Sequence, residues 1–285
     1  MKRKIQISII FTLFFIGNTN ILAQQFISEQ EEKFAFQVKI VDEFIERFND
    51  VAGNLADTYV QENRIGAPLD RKANIKSLFN QSIAWDTTVI SFFLNSIVNN
   101  KKPILIDFYD QNWFAKVNCR FLYKGRVQNV DIVLDNQVLE EKAKASKWVI
   151  IGVSGLFLGE IHDCEENIVP ASRDRLKSLN PMSHGTDFMG LRKAFADKEN
   201  LRNYFCQKCN SETVNAMANE LYKGNLVFEQ VNGISYHFLQ VPGWVFTVNE
   251  YLRNSINSGW LIDKLIRADD KEKKAYMQQQ LFLQR

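Results

Sequence analysis

In the run WFAKVNCRFLY, residues 113–123, apolar and polar side chains alternate from Ala115 to Phe121. The positions between the apolar residues carry Lys116, Asn118 and Arg120. Because successive side chains of a strand point to opposite faces, this period of two predicts a strand with one buried face. We expect every second residue of this strand to lie on the buried face: Trp113, Ala115, Val117, Cys119, Phe121 and Tyr123.

Two more strands are predicted directly after this run. Gly125 supplies a turn, and apolar residues then alternate with polar ones over residues 129–134. Residues 147–153, KWVIIGV, are almost entirely apolar, which predicts a strand buried on both faces. We therefore expect residues 113–153 to form three adjacent antiparallel strands.

Three helices are predicted ahead of these strands, over residues 29–52, 74–80 and 88–99. The first has apolar residues at steps of three and four, which is the spacing of an amphipathic helix. Asp70 and Asp86 precede the other two helices and can cap their first turns. Helices followed by an antiparallel meander predict an α+β fold, in which we expect the first helix to cover the three strands.

The second half of the chain repeats this order on a smaller scale. Helices are predicted over residues 188–195, 199–205 and 211–222, and strands over residues 234–241, 244–251 and 260–266. The best-matched pieces of the two halves are SKWVI, residues 146–150, and SGWLI, residues 258–262. The match favours a second unit related to the first, although no fixed sequence period is visible.

The chain begins with the features of a secretory signal peptide. Basic residues at positions 2–4 precede an apolar stretch over residues 5–16, and Ala23 suits a cleavage position. The apolar stretch is too short to span a bilayer comfortably. We therefore expect an exported protein, periplasmic or extracellular, with three parts: a leader over residues 1–23, an α+β domain over residues 24–155 and a second α+β half over residues 156–285.

Composition excludes several classes of protein. Hydrophobic residues make up 46% and charged residues 24% of the chain, which argues against a disordered, collagenous or coiled-coil protein. The formal charge is +2, and without the three basic residues of the leader the chain has 32 basic against 33 acidic residues. Such a balance gives no excess of positive charge that would favour binding of nucleic acid. No later stretch approaches about 18 apolar residues, so we expect no membrane span in the mature chain.

Two patterns resemble known proteins. The predicted helix contains QVKIVDEF, residues 37–44, followed by RFN, residues 47–49, and resembles the start of a group of exported proteins of Bacteroides-like bacteria. The order of elements over residues 29–154 resembles the nuclear-transport-factor-2-like (NTF2-like) fold, a cone in which a curved antiparallel sheet wraps around helices. The resemblance covers about half of the mature chain and implies a pocket. Members of this fold include isomerases, dehydratases and non-catalytic binding modules, so the resemblance implies no particular reaction.

Four cysteines follow the leader, at positions 119, 164, 206 and 209. Cys119 lies on the apolar face of the first strand and is interpreted as a buried thiol. The C-x-x-C pair Cys206 and Cys209 follows a predicted helix end, whereas redox motifs normally open a helix after a strand. A disulfide among Cys164, Cys206 and Cys209, a zinc site that adds His162, and a redox site all stay open. An oxidising compartment favours the disulfide.

Few residues are candidates for catalysis. His184 lies in a loop with Ser183 and Asp187, but three neighbours in sequence rarely converge as a catalytic triad. His237 lies within a predicted strand and is interpreted as a structural histidine. Asp107 and Asp110 precede the first strand, and pocket acids act as bases when they are desolvated. The pocket candidates are therefore four residues: Asp107, Asp110, His184 and His237.

The sequence predicts a non-catalytic ligand-binding or protein-interaction module of the cell envelope, whose partner is a small molecule or an envelope protein. Aromatic residues can line a pocket or an interface, whereas no catalytic set is assembled. No metalloprotease, phosphate-binding or dinucleotide-binding motif is present, so we expect no metal and no cofactor. The alternative is a small-molecule hydrolase or isomerase that uses a pocket carboxylate or a histidine.

Overall fold

The computed structural model describes residues 40–50, 70–98, 101–139, 145–155, 157–158, 168–181, 190–209, 211–254 and 257–283. Six helices lie in these ranges: α1 (Val41–Asn49), α2 (Arg71–Ser77), α3 (Thr87–Ile97), α4 (Leu191–Ala196), α5 (Glu212–Lys223) and α6 (Asp270–Gln280). Six strands lie in them: β1 (Trp113–Tyr123), β2 (Arg126–Val138), β3 (Ser146–Ser154), β4 (Leu226–Phe238), β5 (Trp244–Tyr251) and β6 (Gly259–Arg267). A short 3₁₀ helix spans Leu201–Tyr204.

The six strands form one antiparallel sheet in the order β3-β2-β1-β4-β5-β6. Two three-stranded meanders, one from each half of the chain, therefore meet where β1 pairs with β4. The α+β class and the three adjacent antiparallel strands over residues 113–153 are confirmed. Trp113, Val117 and Phe121 are all fully buried, as the alternation predicts.

Helices α1–α5 cover one face of this sheet, and the main core lies between them and the strands. In α1, Phe48 stacks on Phe246 of β5 at 5.7 Å, and Phe44 lies 5.7 Å from Phe238 of β4. The expectation that this helix covers β1–β3 is therefore wrong. The two buried phenylalanines of α1 pack against aromatic residues of the second meander, whereas α5 of the second half contacts β3.

Both edges of the sheet are closed by backbone from the other half of the chain. At the β6 edge, Ile262 donates its N–H to the carbonyl of Leu78 and accepts the N–H of Asn80, both at 2.8 Å. At the β3 edge, the carbonyl of Ile150 accepts the N–H of Cys206 at 2.9 Å. Trp148 of the same strand donates its N–H to the carbonyl of Leu179 at 3.0 Å. These bridges occupy edge groups that would otherwise be open to pairing with another chain.

A β-bulge interrupts each outer strand at its bridged residue. The pairing of β2 with β3 passes from Gly152 to Ile150, so Ile151 has no opposite residue. The pairing of β5 with β6 passes from Lys264 to Ile262, so Asp263 is the extra residue there. A bulge changes the direction of the side chain of its extra residue. The bulges at Ile151 and Asp263 therefore determine which side chains lie on the second face of the sheet.

This second face, which we call the outer face, is covered at one end by α6 and the residues after it. Leu281 and Leu283 pack there on Phe114, Val133 and Val149. Asp269 caps the start of α6 by accepting the N–H of Glu272. In the described ranges no helix is both long and apolar enough to cross a membrane.

Candidate functional site

Polar side chains gather on the outer face where β4, β5 and β6 pass beside α6. Register places Ser235 opposite Asn249 and His237 opposite Thr247, so the four side chains form two neighbouring rows. We call the whole group the β4–β6 polar patch; it consists of Ser235, His237, Thr247, Asn249, Tyr251, Asp263 and Tyr276.

Asp263 is the acidic centre of this patch. Thr247 donates its hydroxyl to one carboxylate oxygen, and Asn249 donates an amide N–H to the other. Tyr251 donates its hydroxyl to that second oxygen at 3.0 Å. The bulge carries Asp263 to this position, and alternation along β5 supplies the three donors from one face of a single strand.

The Asp263 carboxylate is half-buried, and within the described residues no lysine or arginine forms an ion pair with it. Three cations of the protein lie near the patch, and one of them, Lys116, is paired with Asp131 at 3.2 Å. The Arg253 guanidinium stacks 4.8 Å from the ring centre of Tyr251, and Lys264 follows Asp263 in sequence and is exposed. The patch therefore holds a negative charge that is fixed by neutral donors.

His237 links α6 to the sheet. Its Nε2 lies 2.9 Å from the hydroxyl oxygen of Ser235, and its Nδ1 lies 2.7 Å from the hydroxyl oxygen of Tyr276. Burial, together with the positive charges of Lys116 and Lys264, lowers the pKa of His237 to about 3. The imidazole is therefore neutral at neutral pH, with one ring nitrogen as donor and the other as acceptor.

The contact of Ser235 with His237 has the composition of a nucleophile and its base. A general base works best when its pKa lies near the operating pH. The pKa of His237 lies far below neutral pH, so this ring is a weak acceptor of the serine proton. Burial also raises the pKa of Tyr276, and the nearby Asp263 raises it further, so that tyrosine keeps its proton. These properties suit a fixed set of hydrogen bonds better than proton transfer.

Asp107 and Asp110 lie elsewhere, on an exposed turn before β1. Asp107 accepts the N–H of Tyr109 at 2.9 Å, and Asp110 accepts the N–H of Gln111 at 2.7 Å. Both carboxylates therefore stabilise the turn locally and are exposed to solvent. The structure does not bring them to the β4–β6 polar patch. His184 lies outside the described residues.

Cys206 and Cys209 form a disulfide, with their Cα atoms 5.4 Å apart. Cys164 and His162 lie outside the described residues. Cys119 is a buried thiol, and burial raises its pKa well above the ordinary value. Among the residues that the structure describes, no three His, Cys, Asp or Glu side chains are placed to hold a metal ion together.

Sequence reasoning identified His237 but missed the residues around it. The usable signal was Asp263, an acidic residue that follows three apolar ones in the predicted strand beginning at Trp260. A carboxylate inside an apolar strand needs donors, because an unpaired buried charge is costly. Finding those donors in Thr247, Asn249 and Tyr251 required the register of β5 against β6.

No protein-family model, curated protein or solved structure matches this chain.

Proposed function

We propose that the protein is an exported, non-catalytic binding module of the cell envelope that holds a cationic group on the β4–β6 polar patch. The observation that carries the proposal is the Asp263 carboxylate, which three side chains of β5 orient while no cation of the described residues pairs with it.

The hydrogen-bond balance of the patch favours a ligand that donates. Thr247 and Tyr251 each have one hydroxyl hydrogen, and both hydrogens point to Asp263. Asn249 uses one of its amide hydrogens in the same way. The bonds leave further lone pairs on the Asp263 carboxylate and on the Asn249 carbonyl oxygen. An acceptor-rich, negatively charged patch is complementary to an ammonium or a guanidinium group, which only donate.

Such a group can belong to a free small molecule or to a lysine or arginine of an envelope protein. Both sources present the same chemistry to Asp263. The carboxylate is pre-oriented before the ligand arrives, which reduces the ordering cost of binding. The features of residues 1–23 support export, which would place the patch in the envelope.

We propose that the fold is a modified form of the NTF2-like cone. The first half of the chain combines helices with a three-stranded meander, the order for which residues 29–154 resemble this fold, and the second half repeats that order. The helix α1, however, lies against strands of the second meander, and α5 lies against β3 of the first. In this modified fold, two cone-like units share one sheet. A helix of each unit packs on the strands of the other unit.

The proposal is tested by NMR titration of the ¹⁵N-labelled full chain. The probes are agmatine and N-acetyl-lysine methylamide, which carry a guanidinium and an ammonium group, with acetate as the anionic control. We expect saturable shifts of the Asn249 side-chain amide with both cations and none with acetate. Shifts that appear with acetate only, or with no probe, contradict the proposal.

Two variants sharpen this test. Asp263→Asn removes the charge and should abolish the shifts. Asp131→Asn is the matched control, because Asp131 is another carboxylate of the outer face and is already paired with Lys116 at 3.2 Å. Tighter binding of a lysine-rich envelope peptide than of the two small cations would identify a protein as the source of the cationic group.

A hydrolase is the second candidate, and the contact of Ser235 with His237 favours it. Turnover of p-nitrophenyl acetate that falls at least tenfold in both Ser235→Ala and His237→Gln would support this candidate. Equal rates in the wild type and both variants would leave the binding module as the better account.

A further inference from the structure

Two buried polar atoms on the helix-covered face lack partners. Asn136 of β2 and Trp148 of β3 are directly opposite in register, and their exposures are 4% and 0%. Within the part of the chain that the structure describes, neither the Asn136 Oδ1 atom nor the Trp148 Nε1 atom has a hydrogen-bond partner. An acceptor and a donor are therefore left open on two directly opposite residues, on the face of the sheet away from the β4–β6 polar patch.

The orientation of the Asn136 amide is set by a third residue. Its Nδ2 donates to the carbonyl of Phe108 at 2.6 Å, and the same carbonyl accepts the indole N–H of Trp113 at 3.0 Å. Rotating the amide by half a turn would place its oxygen against that carbonyl. The open atom is therefore the oxygen, and the assignment follows from the hydrogen-bond pattern.

The two open groups require a specific chemistry between them. Side chains directly opposite on antiparallel strands have Cβ atoms about 4.5–5.5 Å apart, so one small group can contact both. That group must accept from the indole N–H and donate to the amide oxygen. A carboxylate cannot donate and an ammonium cannot accept, whereas a hydroxyl group does both.

We propose that Asn136 and Trp148 form a binding site for one hydroxyl group. Burying a donor and an acceptor without partners costs free energy, and a bound hydroxyl removes both costs. The ring of Trp113 lies 5.0 Å from that of Trp148, edge on, which gives the site an aromatic wall. The hydroxyl comes from a resident water or from a small neutral alcohol. This site is independent of the cation site proposed for the outer face.

The test uses NMR of the full-length protein with ¹⁵N-labelled tryptophan. The Trp148 indole signal is assigned with Trp148→Phe, or by triple resonance if that variant does not fold. We expect a cross-peak between the Trp148 indole proton and a long-lived water, and none at Trp113, whose indole N–H is already bonded to Phe108.

Titration with benzyl alcohol distinguishes the two sources. A saturable shift of the Trp148 indole signal, together with loss of the water cross-peak, identifies an organic hydroxyl as a ligand. A water cross-peak that the alcohol leaves unchanged identifies a resident water. If Trp148 shows neither a water cross-peak nor an alcohol-induced shift, the site is dry and the proposal is wrong.

Discussion

The backbone carbonyls of Ile150 and Ile262 accept matching hydrogen bonds at opposite edges of the sheet. The carbonyl of each accepts an N–H from the residue that follows a phenylalanine, Cys206 in one case and Asn80 in the other, at 2.9 and 2.8 Å. Each isoleucine also precedes the extra residue of a β-bulge. A duplicated α+β unit predicts these correspondences, and they extend the match between residues 146–150 and 258–262.

The extra residues of the two bulges lie in different environments. Ile151 is 4% exposed and packs in the apolar cluster that contains Leu281 and Leu283. Its counterpart, Asp263, is half-buried and gathers polar donors. The same backbone device thus serves packing in one half and a candidate binding site in the other.

The first prediction concerns stability at acidic pH. The pKa of His237 is about 3 in the folded chain and 6.5 for a free histidine, so the unfolded chain takes up the proton first as the pH falls. The free energy of unfolding should therefore fall below pH 6.5 by up to about 1.4 kcal/mol per pH unit and level off near the folded pKa. Urea unfolding between neutral pH and pH 4 measures this slope. His237→Gln should lack this part of it, and equal slopes would contradict the prediction.

The second prediction concerns the disulfide. Cys206 and Cys209 close a very short loop, for which restriction of the unfolded chain gives about 2 kcal/mol. Dithiothreitol should lower the melting temperature of the wild type. The double variant Cys206→Ser with Cys209→Ser should melt at the reduced value and should not respond to dithiothreitol. A response in the double variant would show that the reductant acts elsewhere.

The third prediction concerns Arg71, which is 6% exposed and whose pKa is lowered by burial. Its guanidinium donates to the carbonyls of Phe48, Ile97 and Ile104, the last two at 2.9 and 2.7 Å. Arg71→Lys keeps the charge but cannot reach three carbonyls, so it should lower the free energy of unfolding by about 2–4 kcal/mol.

The control for Arg71 is its exposed neighbour Lys72, which donates to Asn95 at 2.9 Å. Lys72→Met should change the free energy of unfolding by less than about 0.5 kcal/mol. Chemical unfolding of both variants measures the difference. Equal effects would mean that the carbonyl contacts of Arg71 add no stability.

The fourth prediction compares two strand glycines. A Cβ on Gly152 would lie 2.9 Å from the carbonyl oxygen of Leu281 and 3.0 Å from Cδ2 of Leu283. Gly152→Ala should therefore displace the segment after α6 and cost about 1–3 kcal/mol. Gly233 has no atom within 4 Å of such a Cβ, so Gly233→Ala should be neutral or slightly stabilising. Urea midpoints and hydrogen exchange at residues 281–283 check both outcomes.

Local features of this fold were predictable from the sequence. The strand predicted over residues 113–123 has the same bounds as β1. Asp70 and Asp86 cap α2 and α3, accepting the N–H of Ala73 and of Thr88 respectively. These features depend on neighbours within a few residues, which the sequence displays directly.

Long-range features were not predictable. β4 begins at Leu226, eight residues before the predicted start, because Asn232 and Gly233 have the composition of a turn and a register shift there breaks the period of two. The pairing of β1 with β4 joins distant segments, and no local pattern specifies it. The β4–β6 polar patch depends on that assembly, because the bulge at Asp263 and the packing of α6 against the strands form only when the sheet has formed.

We expect the backbone bridges at the β3 and β6 edges to form late in folding. The Asn257 side chain donates to the carbonyls of Ser77 and Phe79, 180 and 178 residues away in the chain, beside the β6 bridge. Contacts of such long separation form late, because closing a large loop costs entropy before any contact compensates it. Until then β3 and β6 expose their edges to other chains. Refolding therefore competes with intermolecular strand pairing, and its yield depends on protein concentration.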